Sequence, residues 1–130
     1  MAMDWTPVAV GLGAVLGALG RYYLTLFWIQ KQGSLFPYGT LFVNLTGAFT
    51  IGMVATLAPA YGVPVVGQTF MLVGFLGAYT TFSSYILDTV NLSHSTRPII
   101  TLLYWLGSPV LGFVCVEMGI WLGKRLIYLI

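Results

Sequence analysis

Charged side chains are scarce in this chain. Its 130 residues include five Lys or Arg and three Asp or Glu, or 6% of the sequence, whereas soluble domains carry about 25%. Hydrophobic residues make up 58%, and the mean hydropathy is +0.93. So few charges cannot cover a water-facing surface, and the sequence therefore predicts an integral membrane protein. The net charge of +2, with no basic cluster, argues against a nucleic-acid partner.

The chain also lacks the residue patterns on which most catalytic and metal sites depend. Its one cysteine, Cys115, cannot form an intrachain disulfide and is expected to act as a small buried hydrophobe. Its one histidine, His94, has no second histidine or cysteine at metal-ligand spacing and is expected in a solvated loop. Nucleotide-binding loops, nucleophile elbows and paired carboxylates are absent. The sequence therefore predicts no enzyme and leaves transport, conduction or membrane assembly.

Long uncharged stretches define the predicted membrane spans. A spanning helix needs about 20 mostly apolar residues, and the 56 residues 32–87 carry no formal charge, which is enough for two crossings. The turn-forming segment APAYGVP separates those two crossings. We predict a single membrane domain over residues 1–130, with a polar loop at 91–98. Its four helices are expected at 6–29, 38–57, 65–90 and 99–122. The first is too long for a signal-peptide core and is expected to be retained.

Basic residues are divided almost evenly between the two ends of the predicted helices. Lys124 and Arg125 lie on the side of both termini, and we expect them to close helix four. Lys31 and Arg97 lie on the opposite side, with Arg21 near the end of helix one. This distribution gives no clear orientation by the positive-inside rule. Either the chain inserts both ways and pairs as an antiparallel isologous homodimer, or other signals orient it.

Several predicted spans contain residues that are costly in a membrane. Arg21 could extend to the headgroups or attract anions into a vestibule. Asn44 could join helices or line a polar path, and Thr40 lies on the same helix face. Glu117 could reach the basic end of its helix or titrate with a raised pKa, and the sequence does not decide. The segment 11–20, GLGAVLGALG, repeats small residues and predicts close helix packing.

The segment 74–88, GFLGAYTTFSSYILD, is too rich in Gly, Thr and Ser for an ordinary lipid-facing helix. Non-helical backbone at membrane depth is tolerated only when it is buried or lines a watery cavity. A break in such a helix frees carbonyl groups for a cation and N–H groups for an anion. Phe82 and Tyr85 share one helix face, where their electropositive ring edges could contact an anion or pack against a neighbouring helix.

Together these segments resemble the CrcB/Fluc family of fluoride channels. GTLFVNLTG at 39–47 is similar to the family pattern GTLxVNxxG, and the segment at 74–88 is similar to GFxGxxTTFSTFxxE. GALGRY at 17–22 resembles GAxxRY, and YWLGSPVLG at 104–112 resembles YxxxSxxxG. The resemblance covers nearly the whole chain, with all four spans in the same order.

The resemblance implies a passive, fluoride-selective channel that exports fluoride across the bacterial inner membrane. It implies an antiparallel, dual-topology homodimer of four-helix subunits, with helix three broken mid-membrane and two pores at the subunit interface. It also implies a central structural sodium ion held by the backbone carbonyls of Gly77 and Thr80. The residues that it implies for the fluoride pathway are Asn44, Phe82, Tyr85, Ser108, Thr40, Tyr104, Thr81 and Arg21.

Three positions depart from the family pattern. Tyr85 stands where phenylalanine is usual, and its hydroxyl could bond the ion, water or a neighbour. Asp88 replaces the usual glutamate and is expected at the aqueous end. Gly112 leaves no hydroxyl one turn after Ser108.

Two alternatives to a fluoride channel also fit four short spans. A small multidrug-type, proton-coupled exporter needs a membrane-embedded carboxylate in helix one, and this helix has none. A non-transporting assembly subunit predicts packing residues, but it gives no reason for an asparagine beside an aromatic, threonine-rich break.

Overall fold

The computed structural model describes residues 4–95 and 97–129. Within these residues, four helical segments are long and apolar enough to cross a membrane. They are Thr6–Gln32, Tyr38–Ala60, Val65–Ser95 and Pro98–Tyr128. The prediction of an all-α, multi-pass membrane protein with four spans is therefore confirmed.

The third span is assembled from several short helical elements, whereas each of the others is a single helix. Helices α1 and α2 are Thr6–Gln32 and Tyr38–Ala60, and α6 is Pro98–Tyr128. The third span begins with α3 at Val65–Thr69, continues through a π-helical segment at Phe70–Leu76, and ends with α4 at Gly77–Tyr79 and α5 at Phe82–Ser95.

The first two helices continue past the ends expected from the sequence. α1 ends at Gln32 because the next residue, Gly33, has a φ of 78°, which favours glycine. α2 includes Pro59 and ends at Ala60, before a turn in which Gly62 has a φ of 66°. Pro59 thus lies in the last turn of the helix, where the sequence predicted a break.

The last helix also extends further than expected. Lys124 and Arg125 were predicted to close helix four, but α6 continues one turn beyond them to Tyr128. The Arg125 guanidinium lies 5.3 Å from the centroid of the Trp121 ring. An aliphatic stem with a charged tip can reach polar surroundings from inside a helix, so these cations do not mark its end.

The predicted polar loop at 91–98 is wrong for its first five residues, which form the last turns of α5. The Ser93 and Ser95 hydroxyls donate to backbone carbonyls of the same helix at 2.6 and 2.8 Å, which satisfies them without a loop. The chain turns at Arg97, whose extended backbone, with a ψ of 139°, suits a residue that precedes proline. His94 is exposed on the final turn of α5, not in a loop.

Glycines bring α1 against the third span. A Cβ atom at Gly17 would overlap the Phe75 carbonyl oxygen, and one at Gly74 would lie 2.7 Å from the Val10 carbonyl oxygen. Gly13 is buried in the same contact, whereas Gly11 faces open space. The predicted packing role of the small residues is therefore confirmed at positions 13 and 17 and is wrong at position 11.

A second glycine contact joins α2 to α6. A Cβ atom at Gly52 would overlap the Val116 carbonyl oxygen, and one at Gly119 would overlap that of Phe49. Each glycine thus receives the backbone of the opposite helix. This contact holds α2 and α6 side by side and fixes the two helices between which the candidate site lies.

Candidate functional site

The candidate site begins where the third span departs from regular helix. The helix stops at Tyr79 and resumes at Phe82, and Thr80 between them has extended backbone with φ −79° and ψ 157°. The preceding segment, Phe70–Leu76, is π-helical, a widened form that often occurs at functional sites. Both irregular parts lie in or next to the segment rich in Gly, Thr and Ser.

The Asn44 side chain replaces helical hydrogen bonding at this interruption. Its Nδ2 donates to the Thr81 carbonyl at 2.9 Å, and the Thr81 N–H donates to its Oδ1 at 2.7 Å. In a continuous α-helix the Thr81 N–H would instead donate to the Gly77 carbonyl. The amide of α2 therefore acts as a backbone partner for the third span and releases the Gly77 carbonyl from its helical donor.

The Thr81 hydroxyl has a similar effect on the carbonyl of Thr80. The Ser84 N–H donates to Thr81 Oγ1 at 3.2 Å, as at the N-terminal cap of a helix. In a continuous α-helix that N–H would donate to the Thr80 carbonyl. Gly77 and Thr80, the two residues implied for a sodium site, are thus the two whose carbonyls lose their regular donors to Asn44 and Thr81.

An open groove of about 320 Å³ lies between α2, the interruption and α6. Six residues of the predicted fluoride pathway and sodium site line it: Asn44, Thr80, Thr81, Phe82, Tyr85 and Ser108. The other lining residues are apolar or small: Leu41, Ala48, Ile51, Pro109, Gly112 and Val116. Four predicted site residues lie outside the lining: Arg21, Thr40, Gly77 and Tyr104.

The two aromatic residues of the groove differ in exposure. Phe82 is 74% exposed, whereas Tyr85 is 5% exposed, and their ring centroids are 5.6 Å apart at 45°. The Tyr85 hydroxyl donates to the Trp105 carbonyl on α6. From the sequence, this hydroxyl could bond the ion, water or a neighbouring residue, and in the structure it bonds a neighbouring residue. Its aromatic ring still contributes to the groove wall.

A second polar cluster lies beside the groove. The Tyr104 ring is 5.5 Å from that of Tyr85, and the Tyr104 side chain is only 3% exposed. Asp88 is half-buried near buried Thr40, which can hydrogen-bond its carboxylate. Thr40 and Tyr104 thus adjoin the groove without lining it.

Three buried side-chain oxygens have no hydrogen-bond partner among the described residues: Asp88 Oδ2, Tyr104 Oη and Ser108 Oγ. Buried polar atoms are nearly always paired, so each such exception requires an explanation. Tyr104 and Ser108 are four residues apart on α6 and therefore share a face. Their hydroxyls can each donate one hydrogen bond without help from a formal charge.

Arg21 is only partly buried on α1 and does not join the groove. Sequence reasoning missed the apolar wall of the groove, although a signal was present. Ala48 and Ile51 follow Asn44 by four and seven residues, and Val116 follows Ser108 by eight. Helical spacing from the two polar residues would have placed these three on the same faces, as it did for Gly112.

The sequence of this chain is similar to those of known proteins. A family model described as "CrcB-like protein, Camphor Resistance (CrcB)" matches residues 8–120. A protein named "Fluoride-specific ion channel FluC" from Trichormus variabilis is 47% identical over 91% of this chain and 88% of its own length. Proteins of the same name from a Synechococcus species and from Desulforapulum autotrophicum are 46% and 44% identical. Those matches cover 91% and 94% of this chain, and 92% and 98% of the relatives. The chain therefore belongs to the CrcB family.

Proposed function

We propose that the protein is a passive, fluoride-selective channel of the bacterial plasma membrane that carries fluoride out of the cytoplasm. The proposal is carried by the groove, where an unpaired hydroxyl and an exposed aromatic ring lie beside a broken helix. It is supported by three relatives, more than 40% identical over most of the chain, that are named fluoride-specific ion channels.

The groove offers donors that suit a small, strongly hydrated anion. Ser108 Oγ is buried and unpaired, and the Asn44 amide has a second N–H beyond the one given to Thr81. The electropositive edge of the Phe82 ring adds a weak donor surface. None of the lining residues carries a formal charge, so an anion can be coordinated and still leave, as conduction requires.

The proposed working unit is an antiparallel, dual-topology homodimer with two pores at the subunit interface. The groove is open on one side, and Phe82 on its wall is 74% exposed, so a second copy would both close the groove and cover that ring. The nearly even division of Lys and Arg between the helix ends favours insertion in both orientations. Tags on the C-terminus should be detected on both sides of the membrane, and a single location in all molecules would contradict dual topology.

A structural sodium ion fits the chemistry of the interruption. Two residues, Gly77 and Thr80, have carbonyls whose helical donors are diverted to side chains, and freed carbonyls in a membrane require a partner. Their duplication in a dimer would supply four oxygen ligands. When bound, sodium would supply a fixed positive charge between the pores, while Asn44 and Thr81 hold the carbonyls open.

The structure gives the alternative functions less support. A proton-coupled multidrug exporter needs a carboxylate in the first span, but Thr6–Gln32 carries only Arg21 and Lys31 as formal charges. An assembly subunit without transport explains the glycine contacts but not the unpaired hydroxyls beside the groove.

A growth assay tests the proposed function. Expression in a bacterial strain that lacks its own fluoride exporters should restore growth in medium containing fluoride, and expression of the Asn44→Ala variant should not. Normal membrane levels of the protein without any restored growth would contradict the proposal.

A further inference from the structure

Tyr79 lies behind the groove, at the end of α4, and is the last helical residue before the interruption. Its side chain is 9% exposed, and its ring stacks on that of Phe75 with a centroid distance of 5.8 Å and an interplanar angle of 11°. A Cβ atom at Gly47 of α2 would lie 3.1 Å from the Tyr79 ring, and one at Gly20 of α1 would lie 3.6 Å from it. The ring is therefore enclosed between α1 and α2.

The Tyr79 hydroxyl is anchored to α2 through Thr46. The two hydroxyl oxygens are 3.0 Å apart, and Thr46 Oγ1 lies 2.7 Å from the Phe42 carbonyl, to which it donates. Because Thr46 Oγ1 donates to the Phe42 carbonyl, the Tyr79 hydroxyl can serve as the donor in the pair. A phenol enclosed by apolar helices needs such a partner, since burying a hydroxyl without a hydrogen bond is costly.

Two side chains from one turn of α2 therefore hydrogen-bond the residues before and after Thr80. Asn44 holds Thr81 on one side, and Thr46 holds Tyr79 on the other. Gly47, also on α2, lies so close to the methyl group of Thr80 that a Cβ atom at position 47 would overlap that methyl group. Hydrogen bonds to both neighbours of Thr80 fix its position and therefore the direction of its carbonyl.

We infer that Thr46 and Tyr79 are positioning residues that keep the Thr80 carbonyl turned away from helical hydrogen bonding and available to a cation. Thr80 has a ψ of 157°, whereas an α-helical residue has a ψ of about −42°. If Tyr79 were free, rotation toward the helical value would return the carbonyl to the Ser84 N–H. This inference rests on the proposed function, because the cation is the structural sodium of the channel.

The test measures sodium binding to the purified, assembled protein by calorimetric titration, and fluoride flux from liposomes over a range of sodium concentrations. Tyr79→Phe and Thr46→Val each remove the hydroxyl bond while keeping the side-chain shape. Each should weaken sodium binding about fivefold, the effect of one net hydrogen bond. Flux at saturating sodium should stay at the unmodified level, since neither residue lines the groove.

Three further variants separate positioning from general packing. Thr46→Ser keeps the hydroxyl and should retain normal sodium affinity. The double variant Tyr79→Phe, Thr46→Val should be no weaker than either single variant, because both changes remove the same bond. Thr50→Val is the matched control: the Thr50 hydroxyl donates at 2.8 Å to the Thr46 carbonyl within α2, so its removal should leave sodium affinity unchanged.

The outcomes distinguish this inference from the proposed function. Normal sodium affinity in both single variants, or an equal loss in Thr50→Val, would overturn the inference and leave the channel proposal standing. Sodium binding without fluoride flux in the unmodified protein would overturn the proposed function alone. No sodium binding by the unmodified protein would overturn both the sodium site and the inference.

Discussion

The two hydrogen bonds between Asn44 and Thr81 allow the effect of one substitution to be worked out in detail. Asn44→Ala removes a 2.9 Å bond to the Thr81 carbonyl and a 2.7 Å bond from the Thr81 N–H. Thr81 is only 8% exposed, so water does not readily replace the lost amide. The Thr81 N–H is then left without a partner unless the chain rearranges, whereas the Thr81 carbonyl, at the N-terminal cap of α5, still accepts the first helical bond from the Tyr85 N–H.

The expected magnitude follows from the two lost bonds. The unsatisfied buried N–H costs about 1–3 kcal/mol, and loss of the bond to the still-paired carbonyl adds about 1 kcal/mol, so the substitution costs about 2–4 kcal/mol. The chain can recover part of this by returning the Thr81 N–H to the Gly77 carbonyl, which re-forms helix and closes the proposed sodium site. If the conformation with a free Gly77 carbonyl becomes less stable by even 2 kcal/mol, its population falls about thirtyfold. We therefore expect the Asn44→Ala variant to lose nearly all fluoride flux.

The assay is fluoride efflux from proteoliposomes, followed with a fluoride electrode, with dimer assembly checked by size-exclusion chromatography. Gln68→Ala is a matched control, because this other partly buried amide donates at 2.8 Å to the Val63 carbonyl and lies outside the groove lining. It should retain flux. Unchanged flux in the Asn44→Ala variant, or an equal loss in the Gln68→Ala variant, would refute the reasoning.

Three further predictions follow from the same geometry. Phe82→Ala should abolish flux while each subunit still folds, because the ring is 74% exposed within one subunit; retained flux would mean that the ring is only a packing residue. Tyr85→Phe should retain flux and lose about 1 kcal/mol of stability, because its hydroxyl bonds a carbonyl of α6; loss of flux at full stability would assign that hydroxyl to the ion pathway. Gly119→Ala should cost about 1–3 kcal/mol by overpacking against α2, as measured by thermal denaturation. Gly107→Ala, at a position with open space, should not; equal effects would contradict the packing account.

The sequence predicted the spans well because hydropathy reports directly on transfer into lipid. It predicted their ends poorly, for reasons that can be named. Ser93 and Ser95 look like loop residues, yet inside a helix their hydroxyls bond the preceding turn. Pro59 looks like a helix breaker, yet it is accommodated in the final turn of α2.

The candidate site was predictable in its composition but not in its connections. Asn44 stood out as a costly amide in an apolar span, and the Gly- and Thr-rich segment stood out as a poor helix. That Asn44 pairs with Thr81, 37 residues away, depends on how two helices pack and has no local signal. The bond between Tyr79 and Thr46 was not foreseen for the same reason: each residue alone is compatible with an ordinary helix.

The most direct test of the central claim compares fluoride with chloride in one preparation of the purified protein. Liposomes that contain the protein should release fluoride far faster than chloride under the same gradient. Liposomes that contain the Phe82→Ala variant should release neither above background. Equal release of the two anions by the unmodified protein, or no release of either, would contradict the account.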